Sequence, residues 1–201
     1  MSIETILPDI IAGCGIDVSE NNVNSDDDHM RQIVTMMNQS GQDIVKRAEW
    51  SRGYGEVDIG ANLSEVNLPN DFYKLAEAGA ISLKGHNEFV PIRVVVSPAT
   101  WAFIHQQESE QHYAHIKGGK LNFSPSSGSM GARMTYVKKG WLMDGGEFIT
   151  NNNNQPIFPE HLLITAVLWR FNRQIGLPYD DLAAEFEADF TAAINADRGV
   201  A

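Results

Sequence analysis

The hydrophobic period changes twice along this chain, and nothing else in the sequence constrains the fold as strongly. Apolar residues recur at helical spacing near both ends and at strand spacing between them. Near the start, Ile3, Ile6, Leu7, Ile10 and Ile11 share one helical face. They predict a helix over 2–14, with Ser2 as N-cap and the Gly13 to Gly15 segment as its end. Pro8 either kinks this helix or marks its start. Residues 16–28 are polar and read as a linker. A second helix over 27–49 has an apolar face of Met30, Ile33, Val34, Met37, Ile44 and Val45. Asp26, Asp27 and Asp28 suit its N-terminus through the macrodipole. Gly41 interrupts it at a cost of about 1 kcal/mol relative to Ala, and Trp50 closes the segment.

From residue 52 the pattern is that of short strands. Val57, Ile59, Leu63, Val66 and Leu68 form a first group, and Ile81, Leu83, Phe89, Ile92, Val94 and Val96 a second. Between them, 68–79 reads as a turn and a short helix, capped by Asn70 or Asp71 and stopped by Gly79. Residues 97–109 predict a short helix with Ser97 as N-cap and Pro98 in its first position. Residues 113–125 predict a hairpin turning at Gly118-Gly119, and 132–144 a further strand.

After the low-complexity run Asn151 to Asn154, helical periodicity returns. Residues 160–175 are apolar on nearly every side, as in a buried central helix. A last helix, 179–197, sets Leu182, Phe186, Phe190 and Ile194 at successive four-residue steps. The expected class is α+β. Helices from 1–50 and 159–201 form a bundle, an antiparallel β-sandwich or barrel-like region with short helices is inserted at 51–150, and 151–158 is a linker.

Charge narrows the function. Fifteen Lys and Arg against 26 Asp and Glu give a formal net charge of −11, which argues against a protein that grips nucleic acid, since phosphate contacts need a cationic face. A single cysteine, Cys14, excludes an intrachain disulfide and a Cys-rich zinc site. No run approaches the ~18 apolar residues of a membrane span. The N-terminus carries Glu4 and Asp9 with no basic n-region, so a signal peptide is not expected and the default compartment is cytosolic.

No motif predicts catalysis. His112-x-x-His115 precedes a Gly-Gly turn, so it reads as extended and exposed rather than as a metal pair. Asp26 to His29 lacks a calcium-loop pattern. Gly118-Gly119-Lys120 lacks the phosphate-loop frame. Ser126 to Gly131 reads as a flexible loop, because a nucleophile elbow would need Gly where Ser127 stands. Glu185, Glu187 and Asp189 occupy a charged helical face with no sign of burial. No catalytic, cofactor or metal residue is expected.

An ordered set of phrases then stands out. Leu68-Pro69-Asn70-Asp71-Phe72 comes first, followed by Val96-Ser97-Pro98-Ala99-Thr100-Trp101. Tyr113, Gly118-Gly119-Lys120-Leu121, Ser124-Pro125 and Tyr136 continue the series. Pro159-Glu160-His161-Leu162-Leu163, Trp169-Arg170-Phe171, Gly176-Leu177-Pro178-Tyr179, the stretch Glu185 to Phe190 and Asp197-Arg198-Gly199 complete it. Across roughly 130 residues this order resembles the tailed-bacteriophage head-to-tail adaptors, the connector proteins of the virion neck.

The resemblance implies a structural virion protein and not an enzyme. It implies a homo-oligomeric ring, commonly a dodecamer, docked under the portal protein. That ring would extend the DNA channel without specific DNA binding, and would offer a platform to downstream neck and tail proteins. It would form in the host cytoplasm during assembly and reside at the head–tail junction. It implies portal contacts from Tyr179 through Ala201, and the candidate portal or subunit-interface residues are Trp169, Arg170, Tyr179, Glu185, Phe186, Glu187, Asp189, Phe190, Asp197 and Arg198. The alternatives are another neck or tail-completion subunit, and a cell-wall hydrolase working through a carboxylate pair.

Overall fold

A computed structural model describes residues 2–76, 80–85, 89–106 and 111–199. The chain divides into two compact units, one made of Met1–Gly53 with Lys139–Ala201, the other of Tyr54–Lys138. The class is mixed α+β, with terminal helices packed together and two sheets inserted in the middle.

In the first unit, α1 (Ile3–Cys14), α2 (Asp28–Arg47), α4 (Glu160–Ile175) and α5 (Asp180–Asp197) are helical, and α4 packs against the other three. α4 is central because Leu162, Leu163, Ala166, Val167 and Phe171 bury more than one of its faces. Pro8 lies inside α1 on its exposed side. There water can satisfy the carbonyl that a proline leaves unpaired. Asp27 caps α2, accepting from the backbone N–H groups of His29 and Met30. Trp50 and Trp141 are fully buried, and each packs against Phe158. Trp141, expected in a strand, belongs to this helical core, and residues 139–150 fall in the first unit.

Residues 151–154 are not a slack linker. Asn154 is buried; its Oδ1 accepts from the Thr150 and Asn151 backbone N–H groups at 2.8 and 3.0 Å, and its Nδ2 donates to Asp144 at 3.1 Å. The Asn152 and Asn154 carbonyls accept the N–H groups of Glu4 and Ile3, both at 2.8 Å. Asn152 also holds the segment before α2, accepting from Val23 N–H and donating to the Asn21 carbonyl. These bonds satisfy donors at the start of α1 that have no partner within the helix. The asparagine run is a clamp whose side chains replace secondary structure.

Among the described residues, the second unit holds nine strands: β1 (Tyr54–Ile59), β2 (Glu65–Asn67), β3 (Phe72–Leu75), β4 (Ile81–Lys84), β5 (Phe89–Pro91), β6 (Arg93–Val94), β7 (Tyr113–Lys117), β8 (Lys120–Ser124) and β9 (Ala132–Lys138). One sheet runs β1-β9-β4-β5, with β3 also beside β9; the other runs β2-β8-β7-β6. Ile59, Ile81, Ala132 and Met134 of the first sheet share one core with Ala114, Leu121 and Phe123 of the second. The predicted hairpin is β7–β8, turning at Gly118-Gly119 with positive φ at both glycines.

Two expectations are corrected here. Residues 72–75 are a strand and not a helix. Asp71 is no helix cap; it accepts the Tyr136 hydroxyl at 2.9 Å, while Phe72 lies against the Tyr136 ring. This pairing with β9 outweighs local propensity, and Gly79 lies outside the described residues. Nor is the β region wholly antiparallel, because β6 and β7 pair in parallel. A parallel pair needs a crossover, which runs through the predicted short helix, α3 (Pro98–Gln106). Residues 107–109, expected to finish that helix, lie outside the described residues.

Candidate functional site: a C-terminal helix pair and an exposed apolar helix

The candidate interface residues separate into three groups. Phe186 and Phe190 are core side chains, 1% and 5% exposed, and their rings pack together. They are unavailable for contact, because α5 can cover the bundle only by burying its apolar stripe. Glu187 and Asp197 face solvent but already have partners. Glu187 forms a two-point ion pair with Arg47, and the Arg47 guanidinium lies over the Phe190 ring, 4.2 Å from its centroid. Arg47 holds the Glu187 carboxyl below its ordinary value. Asp197 accepts from the N–H and hydroxyl of Ser51, both at 2.7 Å, tying the end of α5 to the turn after α2.

The third group is exposed or half-buried. Glu185 and Arg198 are exposed and Asp189 is half-buried on α5. Trp169, Arg170 and Tyr179 cluster where α4 turns into α5. The Arg170 guanidinium stands over the Trp169 ring at 4.3 Å, and the Tyr179 ring tilts against the same Trp169 ring with centroids 6.4 Å apart. Arg170 also pairs with Asp43 on α2. Burial pushes its pKa down, and Asp43 opposes that shift. Glu185 and Asp189 stand one turn apart on a single helix, so they do not face each other across a cleft as paired hydrolase acids do.

Charge is divided unevenly between the units. The first carries 18 carboxylates against 8 Lys and Arg, a net −10; the second carries 8 against 7, a net −1. A cavity of about 500 Å³ in the first unit is lined by Asp9, Arg52, Glu160 and His161 among apolar neighbours. Among the described residues, no group of three or more His, Cys, Asp or Glu is arranged to hold a metal ion, and no helix is long and apolar enough to cross a membrane.

The second unit has a feature the candidate set missed. α3 has the sequence PATWAFIHQ, yet none of its residues is buried. Val96 just before it is 86% exposed, and Phe103 is 61% exposed. Trp101 fixes one side of the helix, its ring stacked between His105 on α3 and His115 on β7. His115 is itself buried, and its Nδ1 donates to the Val95 carbonyl at 2.7 Å, so it is no exposed-loop residue. The 126–131 loop, read as flexible, is likewise pinned. The buried Ser127 hydroxyl donates to the Gly60 carbonyl at 2.6 Å and accepts from Leu63 N–H at 2.9 Å. A visible signal for α3 was its lack of any charged residue, which leaves no face made for water.

Comparison with known protein families and with curated proteins finds no match for the chain.

Proposed function

We propose that this chain is a structural subunit of a phage neck, a head-to-tail adaptor that forms a ring beneath the portal and extends the DNA channel. The observation that carries the reading is α3. An apolar helix with no buried residue marks a surface that another molecule covers, and it coincides with the Val96 to Trp101 phrase that resembles the adaptor family. In this reading α3 with Val96 meets a neighbouring subunit or the portal, and the acidic helical unit is a surface that duplex DNA slides past, repelled by carboxylates. Tyr179, Glu185, Asp189 and Arg198 belong to the portal-facing side, and Trp169 and Arg170 to a contact between subunits.

The test is to mix the purified protein with its cognate portal ring and to follow the complex by mass photometry and electron microscopy. The expected result is a ring of subunits on the portal. A Val96→Ser/Phe103→Ser double variant should keep the monomer's circular dichroism and melting temperature but lose that ring. A chain that ignores the portal at all concentrations overturns the proposal.

A further inference from the structure

Along α2 the charges are sorted by end. At its N-terminus and in the segment before it, Asp17, Glu20, Asp26, Asp27 and Asp28 fall within residues 17–28, a stretch that holds no Lys or Arg. The Asp26 and Asp28 side chains are 100% and 95% exposed, and both lie against Arg31. Toward the other end, Gln39, Gln42 and Lys46 of α2 join Trp169, Arg170 and Arg173 of α4 around a shallow cavity of about 450 Å³, with Asp43 on its rim.

This cavity is short of anions. Arg170 has Asp43, but among the described residues neither Lys46 nor Arg173 has a carboxylate partner. The positive charges of Arg47 and Arg173 work against that of Arg170. The Trp169 Nε1 atom is buried without a hydrogen-bond partner, an uncompensated donor on a residue that lines the site. A cationic site on a unit with net charge −10 is the exception on that surface, and the chain's own carboxylates are the most abundant complementary groups. The same copy cannot supply them from the start of α2. Asp28 and Lys46 are separated by 18 residues of one rigid helix, about 27 Å at 1.5 Å per residue.

We infer that the α2–α4 cavity receives the acidic N-terminal end of α2 from a second copy of the chain. Giving and receiving faces then sit at opposite ends of one helix, so the contact is head-to-tail, the kind that propagates around a ring. This deepens the ring reading and rests on it, by assigning one subunit–subunit contact distinct from α3. Arg173 and Lys46 reach the incoming Asp26 and Asp28, and the half-buried Trp169, with Arg170 over its ring, forms part of the cavity wall.

The test is a charge swap, read by sedimentation velocity across a concentration series at low and high salt. Wild-type chain should self-associate, less so at high salt. Lys46→Glu/Arg173→Glu and Asp26→Lys/Asp28→Lys should each weaken association about tenfold or more, with unchanged circular dichroism because all four positions are exposed. An equimolar mixture of the two variants should recover association, since each acidic end then meets a basic cavity and each lysine end an acidic one. Variants that associate as wild type does, or a mixture that fails to recover, overturn this contact. If those same variants still ring on the portal, the adaptor reading stands without it. A wild-type chain that stays monomeric throughout the series also overturns the contact, while portal binding reports on the adaptor reading separately.

Discussion

Gly41 lies inside α2, where replacing glycine by alanine ordinarily stabilises a helix by about 1 kcal/mol. Here the opposite outcome is expected. A Cβ at Gly41 would stand 2.3 Å from Trp141 Cδ2 and 2.6 Å from Cε2 and Cε3, whereas carbon atoms pack at roughly 3.5–4.0 Å. The indole would have to retreat by more than ~1 Å, and it has nowhere to go. Trp141 is fully buried, its Nε1 donates to the Glu147 carbonyl at 2.9 Å, its own carbonyl accepts Ile157 N–H at 3.0 Å, and its ring stacks on Phe158. Two of the atoms struck, Cδ2 and Cε2, form the shared edge of the bicyclic ring and Cε3 adjoins it, so none is a flexible tip. Overpacking of this kind costs about 3 kcal/mol, which leaves Gly41→Ala destabilised by roughly 2 kcal/mol after the propensity gain. In a chain of this size that lowers the melting temperature by roughly 4–8 °C. Urea denaturation and calorimetry of the single variant, of Trp141→Leu and of the double variant form the assay. The penalty should vanish in the Trp141→Leu background, because the two sites are coupled through one contact. A Gly41→Ala chain that melts at or above wild type, or a penalty that persists without Trp141, refutes the packing argument.

Ser40, the neighbouring residue, is fully buried with an unpartnered hydroxyl; Ser40→Ala should raise stability by about 1 kcal/mol, visible as a higher urea midpoint with an unchanged slope. Asn154→Ala removes a buried acceptor shared by Thr150 and Asn151 and should cost about 2–3 kcal/mol, with hydrogen exchange quickening first at the start of α1. For the Arg47–Glu187 pair the sign follows from the lowered carboxyl pKa. Its stabilisation is whole above the ordinary glutamate value of 4.5 and drains as pH falls through the lower folded value. Acid unfolding of Glu187→Gln should therefore be shallower than that of wild type, and Arg47→Ala should destabilise more at neutral pH because it also uncovers Phe190.

The class of the fold was legible in the chain alone, because a helical apolar stripe and an alternating one are incompatible local patterns and each leaves its own spacing. Ile3 to Ile11, Met30 to Ile44 and Leu182 to Ile194 could bury their apolar residues together only as helices, and Ala132 to Lys138 only as a strand. The corrected elements are those where side chains act at long range. Asp71 and Phe72 gave a helix-start signal, but their partner is Tyr136, 65 residues away in sequence. The asparagine run gave a linker signal, since composition cannot reveal that the Asn152 and Asn154 side chains bond Val23 and Asp144 while their backbone carbonyls hold the start of α1. Phe186 and Glu187 are adjacent in sequence and opposite in role, one in the core and one held by Arg47, because helical rotation sends them to different faces. The exposure of α3 was decided last of all. An uncharged helix does not reveal from its own sequence how far it will be buried, and only the placement of its neighbours leaves Val96 and Phe103 exposed. Local periodicity sets what each segment can be; the partner it finds across the fold sets which of its surfaces remain for another molecule.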